Sequence, residues 1–158
     1  MRKEFAKYVL NKMNEDKNIV LITADLGYGL WESVQEKFPD RYYNVGSAEQ
    51  LMIGMAAGFA MEKKLPICYS ITPFLLYRPF EFIRNFMQFD QLPIILAGSG
   101  RDKDYGNLGF THHAEEDLDV LRPLFNIRTY KPQLGPEFEH DMKRIFELRE
   151  PCYINLTR

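Results

Sequence analysis

The stretch Asn18-Ile19-Val20-Leu21-Ile22-Thr23-Ala24 reads as a β-strand covered on both faces. Its apolar run is continuous rather than alternating, and it is rich in β-branched residues, as a strand inside a parallel sheet requires. Working outward, residues 2–15 form an amphipathic helix with Phe5, Tyr8, Val9 and Met13 on one side. After Asp25 the pattern alternates. A helix at Leu30–Phe38 stops at Pro39, a strand covers Tyr42–Val45, and a long apolar helix starts after Gly46. Strand Pro66–Ile71, helix Tyr77–Phe89 and strand Pro93–Ala97 follow. A Gly-rich loop, Gly98–Thr111, leads to a short acidic helix at Glu115–Leu121, strand Asn126–Tyr130, helix Gly135–Leu148 and strand Cys152–Leu156. Strands separated by crossovers of helix length predict one α/β domain over residues 1–158, with a doubly wound, mainly parallel sheet flanked by helices. Ligands of such sheets bind beyond the C-terminal strand ends. Asp25, Ser70–Phe74 and Gly98–His113 are therefore expected to converge.

The totals exclude several classes. Hydrophobic content of 46% and charged content of 27% are those of a soluble globular domain. A net charge of −2 offers no electrostatic footprint for nucleic acid or an anionic membrane. The longest uncharged apolar run, Leu51–Met61, is too short to span a bilayer. Lys3, Glu4, Lys7, Asn11 and Lys12 interrupt any signal-like stretch. Cys68 and Cys152 both lie in strand-like runs, so buried free thiols and a cytoplasmic setting are expected.

The stretch that carries the chemistry is Asn44–Ala60. Ser47 and Gln50 have the spacing of a capping box. Leu51–Ala60 has no polar face, so the helix is expected to be buried all round. Glu49, in its first turn, is the only carboxylate between Arg41 and Met61. The helix N-terminus favours its ionised form by roughly 0.3–1 kcal/mol. Deep burial can raise a carboxyl pKa by as much as ~3–5 units, and so should win. Glu49 is thus expected to exchange a proton near neutral pH, although acids in first helical turns are commonly just surface residues.

Other features carry less. Gly27-Tyr28-Gly29 follows a strand, but Glu32 stands where a dinucleotide fingerprint needs its third glycine. Asp102-Lys103-Asp104-Tyr105-Gly106 begins like a calcium loop and then lacks a ligand oxygen. His112, His113 and Glu116 could be a zinc set, yet adjacent histidines rarely aim at one ion. Phe82, Phe86 and Phe89 line one side of the Tyr77–Phe89 helix, and Phe80, Ile83 and Met87 another. One side belongs to the core; the second suggests a subunit contact.

Together these motifs resemble the pyrimidine-binding domain of thiamine-diphosphate enzymes in the transketolase and deoxyxylulose-phosphate synthase group. The resemblance covers nearly the whole chain. It rests on Gly46-Ser47-Ala48-Glu49-Gln50 with Met52 and Ala56-Ala57-Gly58, then Phe74 with Arg78 and Arg84-Asn85, then Gly109-Phe110-Thr111-His112, and the closing Pro151–Arg158 strand. It implies that Glu49 hydrogen-bonds N1′ of the cofactor's aminopyrimidine and controls its tautomer. It also implies that Phe74 stacks on that ring, with Asp25 and Arg78 beside the cofactor. His112, with His113 next to it, contacts donor-substrate oxygens, and Arg101 falls where the deoxyxylulose-phosphate synthases bind phosphate.

Departures from the pattern sharpen the expectation. Leu108 replaces the aspartate that reads the acceptor's hydroxyl in transketolases, and a phosphate-binding serine is missing near Gly29. The Gly-Asp-Gly…Asn element that binds Mg²⁺ and the diphosphate is not among these residues. The implied protein is therefore the pyrimidine-binding subunit of a split, transketolase-like enzyme, inactive alone. It would transfer a two-carbon ketol unit from a ketose donor to an aldose-type acceptor. Its partner would carry Gly-Asp-Gly…Asn, in a heterotetramer of two plus two. The alternatives are a subunit of a 2-oxo-acid decarboxylase or dehydrogenase, a non-catalytic stabilising partner, and, weakest, a NAD-binding module.

Overall fold

The computed structural model describes all 158 residues. Six strands form one sheet: β1 (Ile19–Thr23), β2 (Tyr42–Asn44), β3 (Leu65–Ile71), β4 (Ile95–Ser99), β5 (Arg128–Tyr130) and β6 (Cys152–Leu156). Their order is β2-β1-β3-β4-β6-β5. Every neighbouring pair is parallel, so the expected mainly parallel sheet is parallel throughout. The Asn18–Ala24 run supplies β1, whose five residues are all buried. Fully burying an Ile, Val or Leu side chain stabilises by about 1.5–3 kcal/mol, so this strand, between β2 and β3, is a firmly anchored interior strand of the sheet.

One face of the sheet is covered by α1 (Arg2–Glu15), α2 (Glu32–Lys37) and α7 (Pro136–Leu148). Their Phe5, Val9, Phe138 and Met142, with Trp31 at the N-cap of α2, pack on Leu21, Ile67 and Ile154. The other face carries α3 (Glu49–Met61), α4 (Thr72–Tyr77), α5 (Phe80–Phe82) with the π-helix Ile83–Phe89 that continues it, and α6 (Asp117–Leu121). There Met52, Ile53, Ala56, Leu75 and Ile83 pack on Ile22, Cys68 and Leu96. Cys68 and Cys152 are free and buried, one in each core, with β4 between their strands. Burial pushes both thiols well above the ordinary range. No helix is long and apolar enough to cross a membrane.

Three expectations from the sequence are not met. The Tyr77–Phe89 helix is broken: α4 ends at Tyr77, and the chain restarts at Phe80. Pro79 has no N–H to continue the ladder, which accounts for the break. Beyond it the turns widen to a π-helix, closed by Asp90 N–H donating to the Asn85 carbonyl at 3.0 Å. The capping box does not form. Ala48 is the N-cap of α3 and makes no side-chain cap bond. With Ala48 in that place, Ser47 lies one residue too early, and the third helical position is Leu51 rather than Gln50. Nor is α3 buried all round, because Leu51, Gly58 and Met61 are exposed.

Candidate functional site

In the strand order, β1 and β3 are neighbours although β2 lies between them in sequence, and this reversal is where doubly wound sheets bind ligands. The loop from β2 enters α3 here, through Val45 and a turn at Gly46 with φ of 71°. Asn44 organises the entry: its Oδ1 accepts from the Asp25 amide at 2.9 Å and from the Gly46 amide at 3.0 Å. Such an Asx turn ties the end of β1 to the start of the helix. Asp25 is exposed with φ of 52°, and its Oδ1 accepts from the Tyr28 hydroxyl at 2.6 Å.

Glu49 opens α3 and is only 2% exposed. The carboxylate does not face burial unaided. Arg78 Nη1 donates to both its oxygens, at 2.9 and 2.8 Å, and the Ser70 hydroxyl donates to Oε1 at 3.3 Å. Burial and the helix terminus, the two effects legible in the sequence, leave out this cation. Arg78 also lies over Phe74, its Cζ 4.0 Å from the ring centroid. The imidazole of His112 meets the same phenyl ring edge-on, with centroids 4.9 Å apart and planes at 71°. Thr111 Oγ1 and His112 Nδ1 are 3.0 Å apart and share a hydrogen bond. Glu49, Ser70, Phe74, Arg78 and His112 thus form one contiguous group drawn from three segments.

Backbone geometry explains the convergence. Thr72-Pro73 starts α4 directly at the end of β3, with proline in the first turn where no N–H is needed. Thr72 Oγ1 donates to the Gly100 carbonyl at 2.9 Å and binds α4 to the loop after β4. That loop contains two short 3₁₀ turns, Gly106–Leu108 and Phe110–His112, pivoting at Gly109 with φ of 81°. Leu108 and Phe110 face solvent beside the histidine.

Arg101 does not join the group. Its side chain is turned inward, where Nε donates to Asn155 Oδ1 at 2.8 Å, and Nη2 to the carbonyls of Pro132 and Asn155 at 2.9 and 2.7 Å. In this arrangement it ties the loop to β6 rather than offering its guanidinium to a phosphate, as the resemblance implied. His113 is half-buried, with its Nε2 buried and without a protein partner. His112, His113 and Glu116 do not assemble as a zinc set, and no three metal-ligating side chains meet anywhere in the chain. Sequence reasoning missed Asn44 and Ser70 as supports and the pairing of Arg78 with Glu49. Asn two residues before a glycine turn was a readable signal; the Arg78 contact, spanning 29 positions, was not.

Comparison with known proteins agrees with this fold. The family model for the transketolase pyrimidine-binding domain matches residues 1–158. A putative transketolase C-terminal section from Methanocaldococcus jannaschii is 30% identical over all of this chain and half of its own length. An apulose-4-phosphate transketolase subunit from Actinobacillus succinogenes is 33% identical over 77% of this chain and 39% of its own. A solved split-gene transketolase, an inactive beta4 tetramer, superposes with a TM-score of 0.84 at 31% identity. That match covers 99% of this chain and 51% of the other. The chain thus spans about half the length, or less, of the curated relatives it matches. With the sheet, the helix entry and these matches in agreement, the chain belongs to the transketolase pyrimidine-binding-domain family.

Proposed function

We propose that the chain is the pyrimidine-binding part of a split, transketolase-like enzyme that transfers a two-carbon ketol unit from a ketose to an aldose-type acceptor. Thiamine diphosphate is the family's cofactor. One observation carries the reading: a flat cation, the Arg78 guanidinium, already sits against both the Glu49 carboxylate and the Phe74 ring. A group that is planar and hydrogen-bonds edge-on to a carboxyl therefore fits between these residues, as an aminopyrimidine would.

When bound, thiamine diphosphate supplies the nucleophilic carbon that carries the two-carbon unit. This chain's part is positioning and proton control. Glu49 holds or releases a proton at N1′ of the ring, in a setting sheltered from water. Phe74 covers the ring face and fixes its plane. Asp25, anchored through Asn44, lies at the end of β1 beside the cofactor. His112, held by Thr111 and braced on Phe74, donates to the donor's oxygens, and His113, next to it in sequence, is a second candidate contact. Leu108 puts an apolar surface on the acceptor side, which favours an acceptor lacking the hydroxyl that transketolases read.

These residues include nothing suited to the diphosphate or its Mg²⁺. A partner subunit with Gly-Asp-Gly…Asn would hold both, in a heterotetramer of two plus two that is active only when assembled. Two buried thiols suit a reducing compartment such as the cytoplasm. The test is reconstitution with a subunit carrying that motif, with ketol transfer and CO₂ release both assayed. Ketol transfer by the pair and neither activity by the chain alone are expected. Turnover by the chain alone, or CO₂ release without transfer, would contradict the proposal.

A further inference from the structure

Arg78 takes at one time both surfaces that a pyrimidine ring needs. Its Nη1 lies between the two oxygens of Glu49, and its guanidinium covers the ring of Phe74. A guanidinium held by both oxygens of Glu49 and lying on a face of Phe74 competes with an aminopyrimidine for that carboxyl edge and that face. The partners are unequally held, however: the Glu49 side chain is 2% exposed, whereas that of Arg78 is 47% exposed. Arg78 stands at the C-terminal end of α4, immediately before the break at Pro79, with a long side chain at the mouth of the site. Moving it outward returns a half-solvated cation to water. Glu49 has no such freedom.

We propose that Arg78 is a displaceable placeholder: in the free subunit its guanidinium occupies Glu49 and Phe74, and the cofactor's aminopyrimidine enters as the guanidinium swings out. The proposal rests on Glu49 and Phe74 being the pyrimidine contacts. It explains why a carboxylate buried for chemistry does not stand as an uncompensated charge before the cofactor arrives. It also carries a cost in binding. A site competent only when its placeholder is away has its apparent affinity lowered by the fraction of time it is open. Occupancy of about nine parts in ten weakens pyrimidine binding about tenfold.

The probe is 4-amino-2-methyl-5-hydroxymethylpyrimidine, the cofactor's ring alone, titrated into the free chain and followed by NMR. Arg78→Gln, shown to be folded by its amide spectrum, is expected to bind the probe about tenfold more tightly than wild type. Arg78→Lys, which pairs with Glu49 but does not stack as a plane, should fall between them. In the wild-type chain, saturation should move the Arg78 Nη1–H signals, which bond Glu49 in the free chain, from slow to fast solvent exchange. Equal, weaker or absent binding in Arg78→Gln overturns the placeholder. If that happens while Phe74→Ala and Glu49→Gln still weaken wild-type binding, only the placeholder falls. If those two variants leave binding unchanged, the assignment of the pyrimidine site falls with it.

Discussion

A carboxylate at position 49 meets an arginine that is half in solvent, on a phenylalanine that also supports a histidine. Each contact has a measurable consequence. Phe74→Ala removes the proposed stacking surface for the pyrimidine and the edge contact with His112. In a reconstituted pair it should weaken cofactor binding by about 1–3 kcal/mol, roughly 5- to 150-fold, as a calorimetric titration would register. Unchanged affinity would remove Phe74 from the site. At this scale the sequence was legible where a residue type carries its own chemistry: a lone acid in an apolar helix start, and a histidine in a glycine loop. It was illegible where long side chains choose partners in space. Arg101 is equally compatible with an outward phosphate contact and with the inward bonds to Asn155 and Pro132, and only packing decides.

Among the elements, the β-strand pattern was the most readable, because continuous burial leaves a continuous apolar run; Cys152–Leu156 has the bounds the sequence predicts. Helix ends were less so. Pro79 marks a break that an aromatic stripe concealed, and the following π-helix has no local signature of its own. The junction of β4 with the α4 side of the sheet is tightly filled. A Cβ at Gly98 would lie 2.6 Å from Thr72 Oγ1 and 2.9 Å from Tyr153 Cε2. Gly98→Ala should therefore destabilise by about 1–3 kcal/mol in urea unfolding, and a neutral result would mean that the junction relaxes freely. Asp16 closes the end of α1. Burial raises its pKa, but the Asn18 amide at 2.8 Å and the ion pair with Arg149 outweigh this, so the folded value lies below the ordinary one. Its contribution is present above the unfolded value of about 3.9 and lost as pH falls through the folded value. Asp16→Asn should cost up to about 1 kcal/mol at neutral pH. That difference should vanish in the most acidic unfolding curves; a gap that persists there would assign the loss to packing instead.

For the molecule as a whole, the exposed apolar surface is the feature a single chain leaves unexplained. Leu51 and Met61 on α3 are each 58% exposed, and Phe89 at the end of the π-helix is 82% exposed. An uncharged helix was expected to be buried all round; its open stripe fits a surface that another subunit covers. The free chain should therefore associate as its concentration rises in sedimentation velocity, and Leu51→Lys with Phe89→Lys should hold it monomeric. A wild-type chain monomeric at high concentration would contradict this. The most direct test of the proposed function is Glu49→Gln in the reconstituted pair. The variant should assemble normally and lose about 10²–10⁴-fold in ketol transfer, the range removed with a positioned acid–base group. Full turnover by that assembled variant would contradict the central claim.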